Sequence, residues 1–124
     1  MIVRKDRMIL AVVDDLMFMS KIRSMTTELG LGLTFARSSE TALAEMRQRG
    51  PSLVIFDLNN PRTDPMGILR AMKGDQALAS IRTIGYVSHV DAAAVDAARG
   101  AGVDEVVARS AFAQRLRELL SARQ

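Results

Sequence analysis

Four apolar residues in succession, Leu53-Val-Ile-Phe56, run without polar alternation straight into an aspartate, Asp57. Such a run suits a strand buried on both faces, the situation of a parallel sheet covered by helices. Asp57 then stands at the C-terminal edge of a central strand, where open α/β sheets hold their ligand chemistry. Asn59, Asn60 and Pro61 keep the chain beyond it from becoming helix. A second run, Met8 to Val13, ends the same way in Asp14 and Asp15. If the two strands are parallel neighbours, three carboxylates converge at one edge of the sheet. Their repulsion raises at least one pKa unless a cation joins them, and an all-oxygen set favours a hard ion such as Mg²⁺.

The remaining segments alternate between helical and strand patterns. Phe18, Ile22, Met25 and Leu29 repeat at helical spacing, which predicts a helix over 16–29 that Gly30 closes. A short strand over 33–36 follows. Ser38 or Ser39 then caps a helix through about Gln48 that buries Ala42, Leu43 and Met46 and stops at Gly50-Pro51. Beyond Asp57 the pattern reads as a loop over 58–65, a helix over 66–73 with Ile68, Leu69 and Met72 inside, and a connection over 74–82 with one helical turn. A strand over 83–88, an Ala-rich helix over 92–99 with little bulk to bury, and a strand over 105–108 come next. Phe112, Leu116 and Leu119 mark one final helix. These stripes are core contacts. Five strands alternating with five helices imply right-handed crossovers and a parallel sheet.

Composition narrows the function classes. The 124 residues form one domain over 1–124, without repeats, low-complexity tracts or a linker. There are no cysteines, so disulfides, thiolate metal sites and a cysteine nucleophile are excluded. The formal charge of +3 comes from scattered arginines rather than a basic block, and with one tyrosine and no tryptophan there is little for bases to stack on, so nucleic acid is not an expected partner. No apolar run approaches the roughly 18 residues of a membrane span. Met1 to Arg7 is charged with no signal core behind it, and the expected location is the cytoplasm.

The acidic pair Asp14-Asp15, Asp57 in Phe-Asp-Leu-Asn-Asn-Pro, and Ser88 at the end of a later apolar run together resemble the receiver domain of bacterial response regulators, the CheY-like family, over essentially the whole chain. Each motif alone is common; the three in this order and spacing are specific. The resemblance implies a flavodoxin-like, doubly wound sandwich with a five-stranded parallel sheet of order 2-1-3-4-5. It implies no enzyme with a substrate of its own but a signalling protein whose Asp57 accepts a phosphoryl group from a histidine kinase or phosphotransfer protein. By the same resemblance Mg²⁺ is held directly by Asp15, partly through water by Asp14, by Asp57, and by the backbone carbonyl of Asn59. Ser88 hydrogen-bonds a phosphoryl oxygen, and Arg109 stands at the position of the family's phosphate-sensing lysine. Signalling runs through the face of the fourth helix, fifth strand and fifth helix, toward a downstream protein target or a second copy as a homodimer.

Each of these residues also has an ordinary structural use. A strand-end aspartate such as Asp57 caps the next loop through its own side chain, and Asp14 suits the free N–H groups at the start of the first helix. His89, where the family has a small residue, either narrows access to Asp57 or is a solvated loop residue. Ser88 and His89 point to opposite faces of a strand and make no hydrolase triad with Asp57. Three departures bear on function. Arg109-Ser110 replaces Lys-Pro, exchanging a compact point charge for a planar fork. It also removes the usual reason for a cis peptide, so the loop there is expected to be rearranged or trans. Val106 occupies the place of a Tyr or Phe rotor, leaving Tyr86 either to substitute for it or to pack as a strand aromatic. These departures support a second reading: a pseudo-receiver acting as a phosphorylation-independent dimerisation or docking module. A phosphatase is disfavoured, because Asn59 stands where its second aspartate belongs.

Overall fold

The computed structural model describes residues 7–88 and 91–121. Its elements are β1 (Met8–Val12), α1 (Leu16–Leu29), β2 (Gly32–Phe35), α2 (Ser39–Arg49), β3 (Leu53–Asp57), α3 (Pro65–Lys73), β4 (Arg82–Val87), α4 (Ala92–Ala101), β5 (Glu105–Ala108), α5 (Arg109–Gln114) and α6 (Leu116–Ser121). All strand pairs are parallel, in the order β2-β1-β3-β4-β5. This is the doubly wound, flavodoxin-like arrangement that the sequence predicts.

The unalternated apolar runs are buried on both faces, as parallel strands between helices must be. Ile9, Ala11, Ile55, Ile84 and Tyr86 pack toward α1, α5 and α6 with Phe18, Ile22, Phe112 and Leu116. Leu10, Val12, Val54 and Phe56 pack on the other face against Ala42, Met46, Ile68, Leu69 and Met72 of α2 and α3. The helix stops follow from local chemistry. Gly30 and Gly50 take left-handed conformations at φ 71° and 57° and return their amides to the last turns of α1 and α2. Ser38 caps α2 with its side chain.

One expectation needs correction. The final helix is divided, so the described residues form six helices rather than five: Arg115, at φ −100° and ψ 13°, leaves helical geometry where its side chain reaches both Glu105 of β5 and Glu118. Of the two outcomes expected for the chain after β5, rearranged or trans, the structure has the trans one. Ala108 passes directly into α5 at Arg109, since no proline interrupts the backbone there, and the described peptide bonds are trans. Smaller shifts occur at element ends: α3 begins on Pro65, whose ring suits a first helical position, and β4 runs 82–87 and stops before Ser88. Among the described residues no helix is long and apolar enough to cross a membrane.

Candidate functional site

Pairing of Val12 with Phe56 and of Asp57 with Tyr86 brings the ends of β1, β3 and β4 to one edge of the sheet. Gly85 helps to set the loop beyond Asp57: a Cβ there would collide with Leu58, so only glycine lets Leu58 lie across β4. At this edge the structure brings together Asp14, Asp15, Asp57, Asn59, Ser88 and Arg109. His89 lies outside the described residues, as does its expected effect on access to Asp57.

Helix capping falls to Asp15, not Asp14. The Oδ1 atom of Asp15 accepts from the amides of Met17 at 2.8 Å and Phe18 at 3.1 Å. Its Oδ2 accepts from Nη2 of Arg109. The Phe18 amide, aided by the Arg109 guanidinium and the Met17 amide, holds the Asp15 carboxyl below the usual aspartate range against the opposing effect of burial. Arg109 is itself anchored, its Cζ lying 4.6 Å from the ring centroid of Phe18. Asp14 is occupied by two residues that sequence reasoning missed. Its Oδ1 accepts from Nδ2 of Asn60 at 3.0 Å, and its Oδ2 from Nη2 of Arg62 at 2.7 Å. Asn60, almost fully buried, also accepts from the Arg62 amide at 2.9 Å. The one available signal was a basic residue five positions after Asp57 in a loop facing an acidic edge.

The Asp57 carboxylate takes one hydrogen bond among the described residues, from the Asn59 amide to Oδ1 at 3.0 Å, which is the loop cap expected of a strand-end aspartate. Its Oδ2 accepts none among the described residues. Burial pushes the Asp57 carboxyl above the usual aspartate range. Asp14 and Asp15 push the same way, while the Asn59 amide and Arg109 oppose them. The Asn59 side chain bridges to the next strand, its Oδ1 accepting from the Ser88 amide at 2.6 Å. Ser88 is exposed and lines a surface groove of about 440 Å³ with Met17, Phe18, Lys21, Arg109, Ser110 and Ala113.

Tyr86 packs as a strand aromatic. Its ring stacks on Phe112 and meets Phe18 edge-on, both at 4.9 Å. Val106 belongs to the core on the opposite face of the sheet, so Tyr86 does not occupy the place of the missing rotor. The Tyr86 hydroxyl is buried without a partner among the described residues, and burial, with the nearby Asp57 charge, drives its pKa far upward.

The donor set suits a hard divalent cation in chemistry but not in arrangement. Among the described residues no three acidic or histidine side chains form a group able to hold a metal ion. Both oxygens of Asp14 and both of Asp15 are already taken by N–H donors, two of them guanidinium groups. An octahedral Mg²⁺ site needs carboxylate oxygens that are free to ligate. As arranged, these residues do not fit the ion.

No protein-family model matches the chain. Its fold is that of solved response-regulator receivers. It is similar to a phosphorylated cyanobacterial phytochrome response regulator, with 21% identity, TM-score 0.77, and coverage of 92% of this chain and 88% of the other. A response regulator from Hahella chejuensis superposes with TM-score 0.85 at 20% identity, covering 93% and 92%. The Mn²⁺-bound form of the response regulator Rcp1 gives 0.79 at 18% identity, covering 95% and 97%.

Proposed function

We propose that this chain is a receiver in two-component phosphorelay signalling, accepting a phosphoryl group on Asp57 from a histidine kinase or phosphotransfer protein. One observation carries the reading: Asp57 is the carboxylate at this edge that keeps an oxygen without a hydrogen-bond partner among the described residues, with the Arg109 charge acting on it and Ser88 tied to the same loop through Asn59. In the transfer, Oδ2 of Asp57 attacks phosphorus in line, and the phosphorus–nitrogen bond of the donor phosphohistidine breaks. The imidazole leaves with the electron pair and is reprotonated by solvent. The added negative charge is met by the Arg109 guanidinium, and the exposed Ser88 hydroxyl is available to a phosphoryl oxygen. The chain is thus a carrier of the group rather than an enzyme. The output is a protein contact, through the face of α4, β5 and α5, with a downstream target or a second copy. Val106 supplies no large side chain to relay the change to that face, so the coupling is weak.

The likeness to a phosphorylated response regulator supports this reading at the level of fold. Mg²⁺ is the ion the resemblance implies, and the Mn²⁺-bound neighbour supports a divalent ion in proteins of this fold. The oxygens of Asp14 and Asp15 that would hold such an ion are engaged by N–H donors instead. The engagement of Asp14 and Asp15 by arginine favours the second reading, a phosphorylation-independent docking module. Phosphoramidate, a small donor with the same phosphorus–nitrogen bond, separates the two. The first reading expects the intact mass to rise by one phosphoryl group in wild type and not in Asp57→Asn. No rise in wild type, with or without divalent ion, leaves the docking module.

A further inference from the structure

We infer that Arg109 and Arg62 are the resident counter-cations of the acidic edge, and that a divalent ion enters only by displacing Arg109 from Asp15. The inference takes its location from the proposed acceptor site, but it needs no phosphoryl transfer to be true. Three carboxylates, Asp14, Asp15 and Asp57, face two guanidinium groups, one paired to Asp14 and one to Asp15. That leaves a single negative charge, far less than the bare cluster offers an incoming cation.

The two arginines are held unequally. Arg62 has a side chain 77% exposed, and a pair of that kind is weak and readily broken by solvent. Arg109 is 37% exposed and is fixed twice, by Asp15 and by the face of the Phe18 ring. Stacking a planar guanidinium on an aromatic face while it donates to a carboxylate is beyond the compact ammonium of a lysine. Asp15 cannot turn away to offer another oxygen either, because Oδ1 holds two free amides of the first turn of α1, those of Met17 and Phe18. An ion that needs Asp15 must therefore take Oδ2 from Arg109. At Asp14 the competitor for Oδ2 is loosely held, while Oδ1 keeps its bond from the buried Asn60 amide group.

Mn²⁺ titration followed by the paramagnetic resonance of the free ion tests this on the full chain. Arg109→Met should bind Mn²⁺ about tenfold tighter than wild type, the order expected when a stacked, partly buried pair no longer competes. Arg109→Lys should fall between them. Arg62→Ala removes the same unit of charge from the same edge and should change affinity by roughly twofold or less. Adding Asp15→Asn to Arg109→Met should abolish the gain. Wild-type binding as tight as that of Arg109→Met overturns the inference. So do equal gains from Arg109→Met and Arg62→Ala, since bulk charge rather than an anchored competitor would then set the affinity. Should Arg109→Met fail to melt cooperatively, Arg109→Lys decides alone: affinity no tighter than wild type overturns the inference. Phosphoramidate labelling in chelator is scored separately, so a failed metal result leaves the assignment of Asp57 to be judged on its own.

Discussion

Asp104 and Asp57 stand at opposite ends of one parallel sheet. Before β5, Oδ2 of Asp104 accepts from both the amide and the hydroxyl of the buried Thr83, at 2.8 and 3.2 Å, and the Asp104 amide donates back to Thr83 Oγ1 at 2.9 Å. At the end of β3, Asp57 accepts a single amide and lies among other carboxylates with one oxygen unpartnered among the described residues. The first aspartate braces two strands. The second is held in an environment that disfavours its charge, a cost that a structural brace would not carry and that an acceptor carboxylate does.

The sharpest way to break this contrast is to truncate both. Asp104→Ala should lose about 2 kcal/mol of unfolding free energy, because the Thr83 amide and hydroxyl lose their acceptor. Urea unfolding measures it. A comparable loss in Asp57→Ala would erase the distinction between the two ends.

A smaller effect of opposite sign is expected from Asp57→Asn, which should be more stable than wild type at neutral pH. The folded-state pKa of Asp57 is raised, so its favourable contribution is present below the ordinary aspartate range and is lost as pH rises through the raised value. Asparagine cannot ionise, and its advantage opens across that window. Asp15 runs the other way: its pKa is lowered, so its contribution is present above the ordinary range and fades as pH falls through the lowered value. Chemical unfolding of the Asp57→Asn and Asp15→Asn proteins from acid to neutral pH should therefore give curves of opposite slope against wild type. Parallel curves would contradict the account.

The smallest effect is at Tyr86, register partner of Asp57. Its hydroxyl is buried without a bond among the described residues, so Tyr86→Phe should be neutral or more stable by a few tenths to about 1 kcal/mol. A clear loss in thermal unfolding would mean that the hydroxyl has a partner.

Much of this was legible in residue order. Unbroken apolar runs ending in Asp15 and Asp57 announce buried parallel strands whose ends meet, and Gly30, Ser38 and Gly50 mark helix ends by conformational preference alone. What escaped depends on reach through space. Arg109 and Asp15 are 94 positions apart, and nothing in local pattern pairs them. Asn60 and Arg62 act on Asp14 only because β1 and β3 are neighbours. Alternation places Tyr86 and Ser88 on one side of a strand, yet it does not say that Val106 packs on the other face of the sheet. The break at Arg115 is invisible in the regular spacing of Phe112, Leu116 and Leu119.

The most direct measurement is chemical mapping of the phosphorylated carboxylate. After labelling with phosphoramidate, borohydride reduces an aspartyl phosphate to homoserine, and peptide mass spectrometry locates it. The account predicts homoserine at position 57 alone. Homoserine at 14 or 15, or at no position in a protein that has gained phosphoryl mass, would contradict it.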